Sequence, residues 1–377
     1  MFRFLTIIIA IFLIHSSWPF IEKQFDNTSL TNSISEVNTL KDNPEVKTTI
    51  QNIYNEIQTA LKQLDVLLDD STKQNQQSTE SNNESKVELN TPAQQDFSIF
   101  NIELGDSKDD VVENLGTPNR STFNEYGTTW NTYHDNYQNF FMVMYDNEDK
   151  VAGLYSNQDL IASKKGIKLG TAKETVRNLL GNPLTSIQKG LVLYKLPEQE
   201  DYDIYLIDNT YVTVFYDKHK GNTVTAVQLI SKYLENKKVD FYTKPSSELK
   251  EGFEYQLFDL TNAARVEHQL SILSWDEHVQ VTARKHSTDM AVHNYFDHTN
   301  LKGQSPFDRM AADDIVYQLA GENLAYGQFS SIFAHEGLMN SLGHRENILR
   351  KGYTYLGVGV AFNNESQPYY TENFYAK

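Results

Sequence analysis

The chain has 377 residues, room for two domains with extensions, and 50 acidic against 33 basic side chains give it a formal charge of −17. That balance argues against nucleic acid as a partner, because phosphate binding needs a basic stripe and no segment supplies one. No cysteine is present, which excludes disulfides, thiolate metal sites and a cysteine nucleophile together.

The chain opens on MFRFLTIIIAIFLIHSSWPF. Arg3 forms a short positive region, and Phe4 to Ile14 are apolar apart from Thr6. Such a run suits a signal-peptide core and is short for a full membrane span. No clean small-x-small cleavage site follows, so residues 1–21 are expected to act as a signal peptide or as an uncleaved membrane anchor. Both imply an extracellular or cell-surface protein, and a cysteine-free exported chain fits a Gram-positive-type envelope.

Residues 22–95 read as a polar linker. Within it Val46, Ile50, Ile53, Ile57, Leu61, Leu64 and Leu68 recur at helical spacing, which predicts one amphipathic helix over 46–68. The stretch STKQNQQSTESNNESK has almost nothing to bury and reads as a tether.

An internal repeat follows in residues 96–235. IELGDSKDDVVENLGTP, from residue 102, aligns without a gap on IKLGTAKETVRNLLGNP, from residue 167. Each copy predicts a short helix closed by Gly and Pro. Strand-like runs follow each copy, FFMVMYDNEDKVAGLYS and YVTVFYDKHKGNTVTAVQLIS, both with a turn after Tyr-Asp as in a hairpin. The expected unit is a helix plus antiparallel strands, used twice. It resembles the helix-plus-sheet repeats of SmpA-like and β-lactamase-inhibitor-like modules, and the module that precedes some bacterial CAP domains. No His, Ser or carboxylate cluster recurs in it, so binding or spacing is the role expected.

After a charged connector from Tyr233 to Gly252, Phe253, Leu257, Leu260 and Ala264 mark the buried stripe of a helix. Asp276 is a good N-cap for the next, which carries Val279, Ala283, His286, Met290 and His293 on one face. Both histidines are therefore expected to point at the core. His298 falls in a loop, where packing explains it less well. Glu322, between Gly321 and Asn323, reads as partly buried and in need of a cation or several donors. Ser331 is expected to cap a helix through Leu342, with Gly343 closing it and His344 just beyond. YLGVGVAFN and YYTENFYA read as strands, giving helices packed on a sheet.

LTNAAR, LSWDE, ARKHSTDM, YFDHT, GENLAYG, LMNSLGHRENIL, YLGVGVAF and YYTENF, in that order, resemble the signature stretches of the CAP superfamily. That SCP-like extracellular group includes cysteine-rich secretory proteins, antigen 5 and plant pathogenesis-related proteins. The resemblance covers residues 249–377. It implies an α+β chain: a C-terminal α-β-α sandwich, the CAP fold, preceded by the two-repeat helix-plus-antiparallel-sheet domain. It also implies a cleft with two histidines and two acids. By motif these are His298, Glu322 and His344, while Ser341 stands where relatives keep the second acid. Glu336 lies five residues earlier, about 140° round a helix from Ser341, and joins the cleft candidates on the condition that the helix is shifted.

His298, His344 and Glu322 form a three-ligand set suited to a divalent cation such as zinc. The main expectation is a non-enzymatic binding module for a cation, small ligand, lipid or envelope protein. The alternative is a metal-dependent hydrolase acting on peptide or envelope polymers. A serine hydrolase is disfavoured, since His286, Ser287 and Asp289 share one helix and no G-x-S-x-G elbow exists.

Overall fold

In the computed structural model residues 87–377 are described, apart from Gly190 and residues 197–200. The segment 1–21 and the amphipathic pattern over 46–68 lie outside the described residues. The start of the described chain is held by Asn101, which bonds the Glu88 carbonyl and the Asn90 amide, and by Glu103, whose carboxylate accepts from the backbone amides of Ala93, Gln94 and Gln95. Strand β1 (Phe97–Ile99) follows and pairs with β6 (Ile161–Ser163).

Helix α1 (Lys108–Leu115) starts at Ser107, whose side chain accepts from the Asp109 amide, and stops at Gly116. Strands β2 (Arg120–Phe123), β3 (Thr129–Asp135), β4 (Gln138–Tyr145) and β5 (Val151–Ser156) come next. Helix α2 (Lys173–Leu180) stops at Gly181. After it come the hairpin β7 (Ser186–Lys189) and β8 (Val192–Lys195), then β9 (Tyr202–Ile207), β10 (Thr210–Asp217) and β11 (Thr223–Ser231). Seven of these strands form one antiparallel sheet in the order β2-β3-β4-β5-β11-β10-β9. Both predicted hairpins are present, β4 with β5 and β10 with β11.

Strand β4 shows why this sheet does not stand alone. Successive side chains of a strand point to opposite faces. Phe141, Val143 and Tyr145 pack with Val111 of α1 and Val176 of α2. Phe140, Met142 and Met144 join a different core, which contains Phe253, Leu257 and Leu260. A run of six buried residues therefore serves two layers, and only one belongs to the N-terminal half.

The short helix α3 (Lys232–Lys237) leads to α4 (Ser247–Glu267), capped by Ser246. The charged connector thus already contains the first turn and a half of α4. Strand β12 (Ser274–Trp275) and helix α5 (Glu277–His293) follow, with Asp276 as the N-cap accepting from the Val279 amide. Then come α6 (Pro306–Ala312), β13 (Leu319–Tyr326), α7 (Ser331–Asn340), α8 (Leu342–Ile348), β14 (Tyr355–Phe362) and β15 (Pro368–Ala376). The second sheet runs β12-β14-β15-β13, antiparallel except for the two-residue β12, which joins in parallel. Helix α5 covers one face of it, and the core around α4 covers the other. The contact with α5 is close because β14 carries glycines: a Cβ on Gly359 would lie 2.1 Å from the Arg284 nitrogen of α5.

Three local expectations are corrected. His286 is buried, but the last two residues of α5 are exposed, so the stripe ends at Met290 and His293 faces solvent, its Nδ1 2.9 Å from the Asp289 carbonyl. The cap of α7 is Ser330, not Ser331, whose hydroxyl instead donates to the Phe253 carbonyl. Gly343 does not close that helix. The extended backbone of Ser341 (φ −96°, ψ 117°) breaks it two residues earlier, and Gly343 and His344 lie in the first turn of α8.

Candidate functional site

Strand β13 fixes Glu322 between β15 and the helices above it. Its side chain is almost fully buried, yet both carboxylate oxygens have partners. Arg309 Nη2 donates to Oε2 at 2.6 Å, and His298 Nδ1 lies 2.9 Å from Oε1. Here is the cation that the burial of Glu322 requires. Arg309 comes from α6, whose start is set by Ser305 in a reciprocal capping box with Asp308. Its Nη1 also donates to the backbone carbonyls of His298, at 2.7 Å, and Gln304, at 3.0 Å. One guanidinium therefore holds both the acid and the loop that carries the histidine.

His298 is about half exposed, 50% for its side chain against 1% for that of Glu322. An ionised carboxylate only accepts, so the Nδ1 proton points at Glu322 and a neutral ring leaves its Nε2 lone pair free.

His344 sits at the third position of α8. Its Nδ1 reaches back to the Oγ of Ser341, the residue preceding the helix, at 2.9 Å. Burial lowers the affinity of this imidazole for a proton, and the neighbouring His298 lowers it further. At neutral pH His344 is therefore an uncharged donor–acceptor. The structure thus pairs His298 with Glu322 and His344 with Ser341, and places the two imidazoles near enough for one to influence the other's charge. It does not bring Glu336 to them: that carboxyl points into the other side of α7, where it accepts from Tyr155 Oη at 2.6 Å. Ser341 is extended and outside α7, so the angle expected on one continuous helix does not apply; Glu336 is turned away because its face of α7 packs on Tyr155 of the N-terminal half.

The junction between α7 and α8 is tied down from the N-terminal half. Asn340 donates through Nδ2 to the Tyr216 carbonyl and accepts at Oδ1 from the Lys218 amide, and His219 Nε2 lies 3.0 Å from its carbonyl. Arg345 pairs with the buried Asp217 at 2.9 Å rather than with Glu346 or the backbone of the Gly321–Asn323 stretch. It also bonds the Met339 carbonyl. Beneath the cleft, Glu372 of β15 accepts from Thr261 and Asn323, and Asn323 also donates to the His344 carbonyl. Burial pushes the Glu372 carboxyl up to about 7.

Arg309 and Glu372 were missed by reasoning from sequence. The signal for Arg309 was a lone arginine one turn into a helix just after the His298 loop. Glu372 had a weaker one, a glutamate inside an otherwise apolar strand.

As a metal site the arrangement is incomplete. Among the described residues no group of three or more His, Cys, Asp or Glu side chains is placed to hold a metal ion. Glu322 in particular does not fit as a third ligand, because Arg309 occupies one oxygen and His298 the other. What fits is a pair of imidazoles with a carboxylate behind one of them.

Two layered units and a His/Glu/His cleft on the second define the class, and comparison with known proteins agrees. Residues 104–241 match the CAP-associated N-terminal model, and residues 258–374 match that of the cysteine-rich secretory protein family. The chain belongs to the CAP family, in its cysteine-free bacterial form. It is 30% identical over 291 residues to the uncharacterized membrane protein YlbC of Bacillus subtilis, covering 72% of this chain and 82% of that one. It is 42% identical over 126 residues to the uncharacterized protein YkwD of the same organism, covering 33% and 48%. Among solved structures, an extracellular protein containing an SCP domain from Bacillus anthracis superposes with a TM-score of 0.64 at 25% identity, over 80% of this chain and all of that one. A cysteine-rich secretory protein from Staphylococcus aureus shares the fold with a TM-score of 0.58 at 18% identity, over 73% and 91%.

Proposed function

We propose that this chain is an exported, surface-held CAP protein that binds rather than catalyses, and that the cleft of His298 and His344 is its ligand site. The observation that carries the ligand site is the engagement of Glu322. A carboxylate shared by a buried guanidinium and an imidazole is not free to act as general base or as third metal ligand, which leaves two imidazoles as the groups presented to a ligand. An imidazole oriented through Nδ1 by a carboxylate is also the usual form of a metal-binding histidine. A divalent cation would be held by His298 and His344, with Glu322 behind His298, and would supply coordination positions to a small ligand or an envelope partner.

Export is supported by the apolar run after Arg3, by the extracellular naming of the B. anthracis structure and by the membrane naming of YlbC. Among the described residues no helix is long and apolar enough to cross a membrane, so attachment would rest on the N-terminal segment. The two helix-and-strand copies of residues 96–235 read as a duplicated support for the CAP unit.

Calorimetric titration of the full chain with zinc tests the site. A binding heat in the wild type that disappears in a His298→Ala, His344→Ala double variant is expected, and equal heats in both would overturn the cation reading. Incubation with a peptide and cell-wall-fragment library tests the other half. Turnover abolished by chelation and restored by zinc would replace binding with hydrolysis.

A further inference from the structure

Away from the cleft, on the opposite side of α7, a cavity of about 360 Å³ lies between the two halves of the chain. The N-terminal half contributes Asp217, Thr225 and the rim lysines Lys168 and Lys220, and the CAP unit contributes His335 and Glu336 on its floor. None of the residues singled out for the cleft lines it except Glu336, which the structure withdraws from the cleft.

The two floor groups are buried without adequate partners. His335 is 1% exposed, and its Nδ1 has no hydrogen-bond partner among the described residues. Burial lowers its proton affinity to about 3, so it remains a neutral ring. Glu336 is 4% exposed, and its one hydrogen bond among the described residues comes from Tyr155. Among the described residues no cation contacts it, and burial pushes its carboxyl up to about 7, with Tyr155 and the more distant Arg345 only partly offsetting this. The adjoining Asp217 is already neutralised by Arg345.

Buried polar groups are normally satisfied, and an uncompensated acid and imidazole lining one cavity is the pattern of a ligand site. The chemistry of the floor selects the ligand. Once ionised, Glu336 offers only acceptors, and a neutral imidazole can turn its one acceptor nitrogen to the same ligand, so the complement is a cationic donor head that favours the ionised acid: an ammonium, amidinium or guanidinium. An anion would face the carboxyl groups of Asp159, Asp217, Glu267 and Glu336, against two lysines that lie exposed at the rim.

We propose that this inter-unit cavity is a second binding site, specific for a small organic cation whose donor head pairs with Glu336 and His335. The cavity holds a head group with a short chain or a single ring, and both halves of the chain contribute to its wall, so an occupant would contact both.

Benzamidine, its neutral isostere benzamide and the anion benzoate are suitable probes, titrated into the full chain. Benzamidine is expected to bind at least tenfold more tightly than benzamide, with no binding of benzoate. Glu336→Gln keeps an acceptor for Tyr155 and is expected to weaken benzamidine at least tenfold. Thr225→Trp, a half-buried lining residue on the N-terminal side, is expected to block it without touching the floor, and covers the case in which Glu336→Gln fails to fold. Equal affinity for benzamidine and benzamide, or affinity unchanged in both variants, would overturn the proposal. So would loss of benzamidine binding in the His298→Ala, His344→Ala double variant, which would place the probe in the cleft. Failure of zinc to bind that cleft leaves this outcome unaffected, so the two sites are tested separately.

Discussion

Glu322 and Arg309 form the pivot of the cleft: the guanidinium holds one carboxylate oxygen at 2.6 Å while His298 takes the other at 2.9 Å. Both members of the ion pair are nearly inaccessible to water. Removing one partner of such a pair leaves an uncompensated buried charge, which costs about 3–5 kcal/mol. Arg309→Met is expected to lose stability of that order in urea denaturation. The double variant Arg309→Met, Glu322→Gln is expected to recover most of it, since no charge is then stranded. A loss below about 1 kcal/mol in the single variant would mean the carboxylate has another cation.

The position of Glu322 behind His298, not beside it, predicts a graded effect on cation binding. Removing an outer-shell partner costs roughly 10–100-fold in metal affinity. Glu322→Gln is therefore expected to weaken zinc by about that factor, whereas the double histidine variant abolishes binding. If Glu322→Gln abolishes it as well, the glutamate is a ligand and Arg309 gives way when the cation arrives.

Much of this was legible in the chain. Period 3.6 in Phe253, Leu257, Leu260 and Ala264 identified α4, and Asp276 marked the start of α5, because both signals are local. His298, Glu322 and His344 could be placed by ordered motifs, and the structure brings them together. What escaped was set by distant contacts. The helix break at Ser341 is held by Asn340 on the backbone of Tyr216 and Lys218, more than a hundred residues away. The run FFMVMY read as one strand of a hairpin, but nothing in it named α4 as the cover of its second face. The angle argued for Glu336 assumed one helix through Ser341, and the break at Ser341 removes that premise, although Glu336 does face away from the cleft.

Gly359 tests the contact between β14 and α5. A methyl group there would meet the Ala283 carbonyl carbon and the Arg284 nitrogen at 2.3 Å or less, and both are backbone atoms that cannot rotate away. Overpacking of this kind costs about 1–3 kcal/mol and more where backbone must move. Gly359→Ala is expected to reach the upper end of that range in thermal unfolding, and an unchanged midpoint would show that α5 can lift.

Asn340 tests whether the N-terminal half positions the cleft. Asn340→Ala leaves the buried Tyr216 carbonyl without its partner, at about 1–3 kcal/mol, and frees the part-buried Lys218 amide at a smaller cost. Because Ser341 and His344 follow directly, the variant is expected to lose cation affinity as well as stability. Lost stability with unaltered zinc binding would confine Asn340 to holding the two halves together.

Glu372 gives the chain a pH dependence whose sign can be worked out. Its ordinary value is 4.5, and burial raises it to about 7 in the folded state, with bonds from Thr261 and Asn323 only partly offsetting this. Between those values the folded chain keeps a proton that the unfolded chain releases, so this group makes stability fall as pH rises from about 4.5 through about 7. Glutamine cannot ionise and escapes that loss, at the cost of one acceptor worth about 1 kcal/mol. Glu372→Gln is therefore expected to be less stable than the wild type at pH 5 and to gain on it steadily up to pH 8. The full swing is on the order of 3 kcal/mol at 1.36 kcal/mol per unit. The buried imidazoles of His335 and His344 titrate with the opposite sign, but they are common to both proteins and cancel in the difference. Urea denaturation at pH 5, 6, 7 and 8 reads this directly. A difference that stays flat across the series would show that Glu372 is already ionised in the folded chain, and that Asn323 and Thr261 alone hold its charge beneath the cleft.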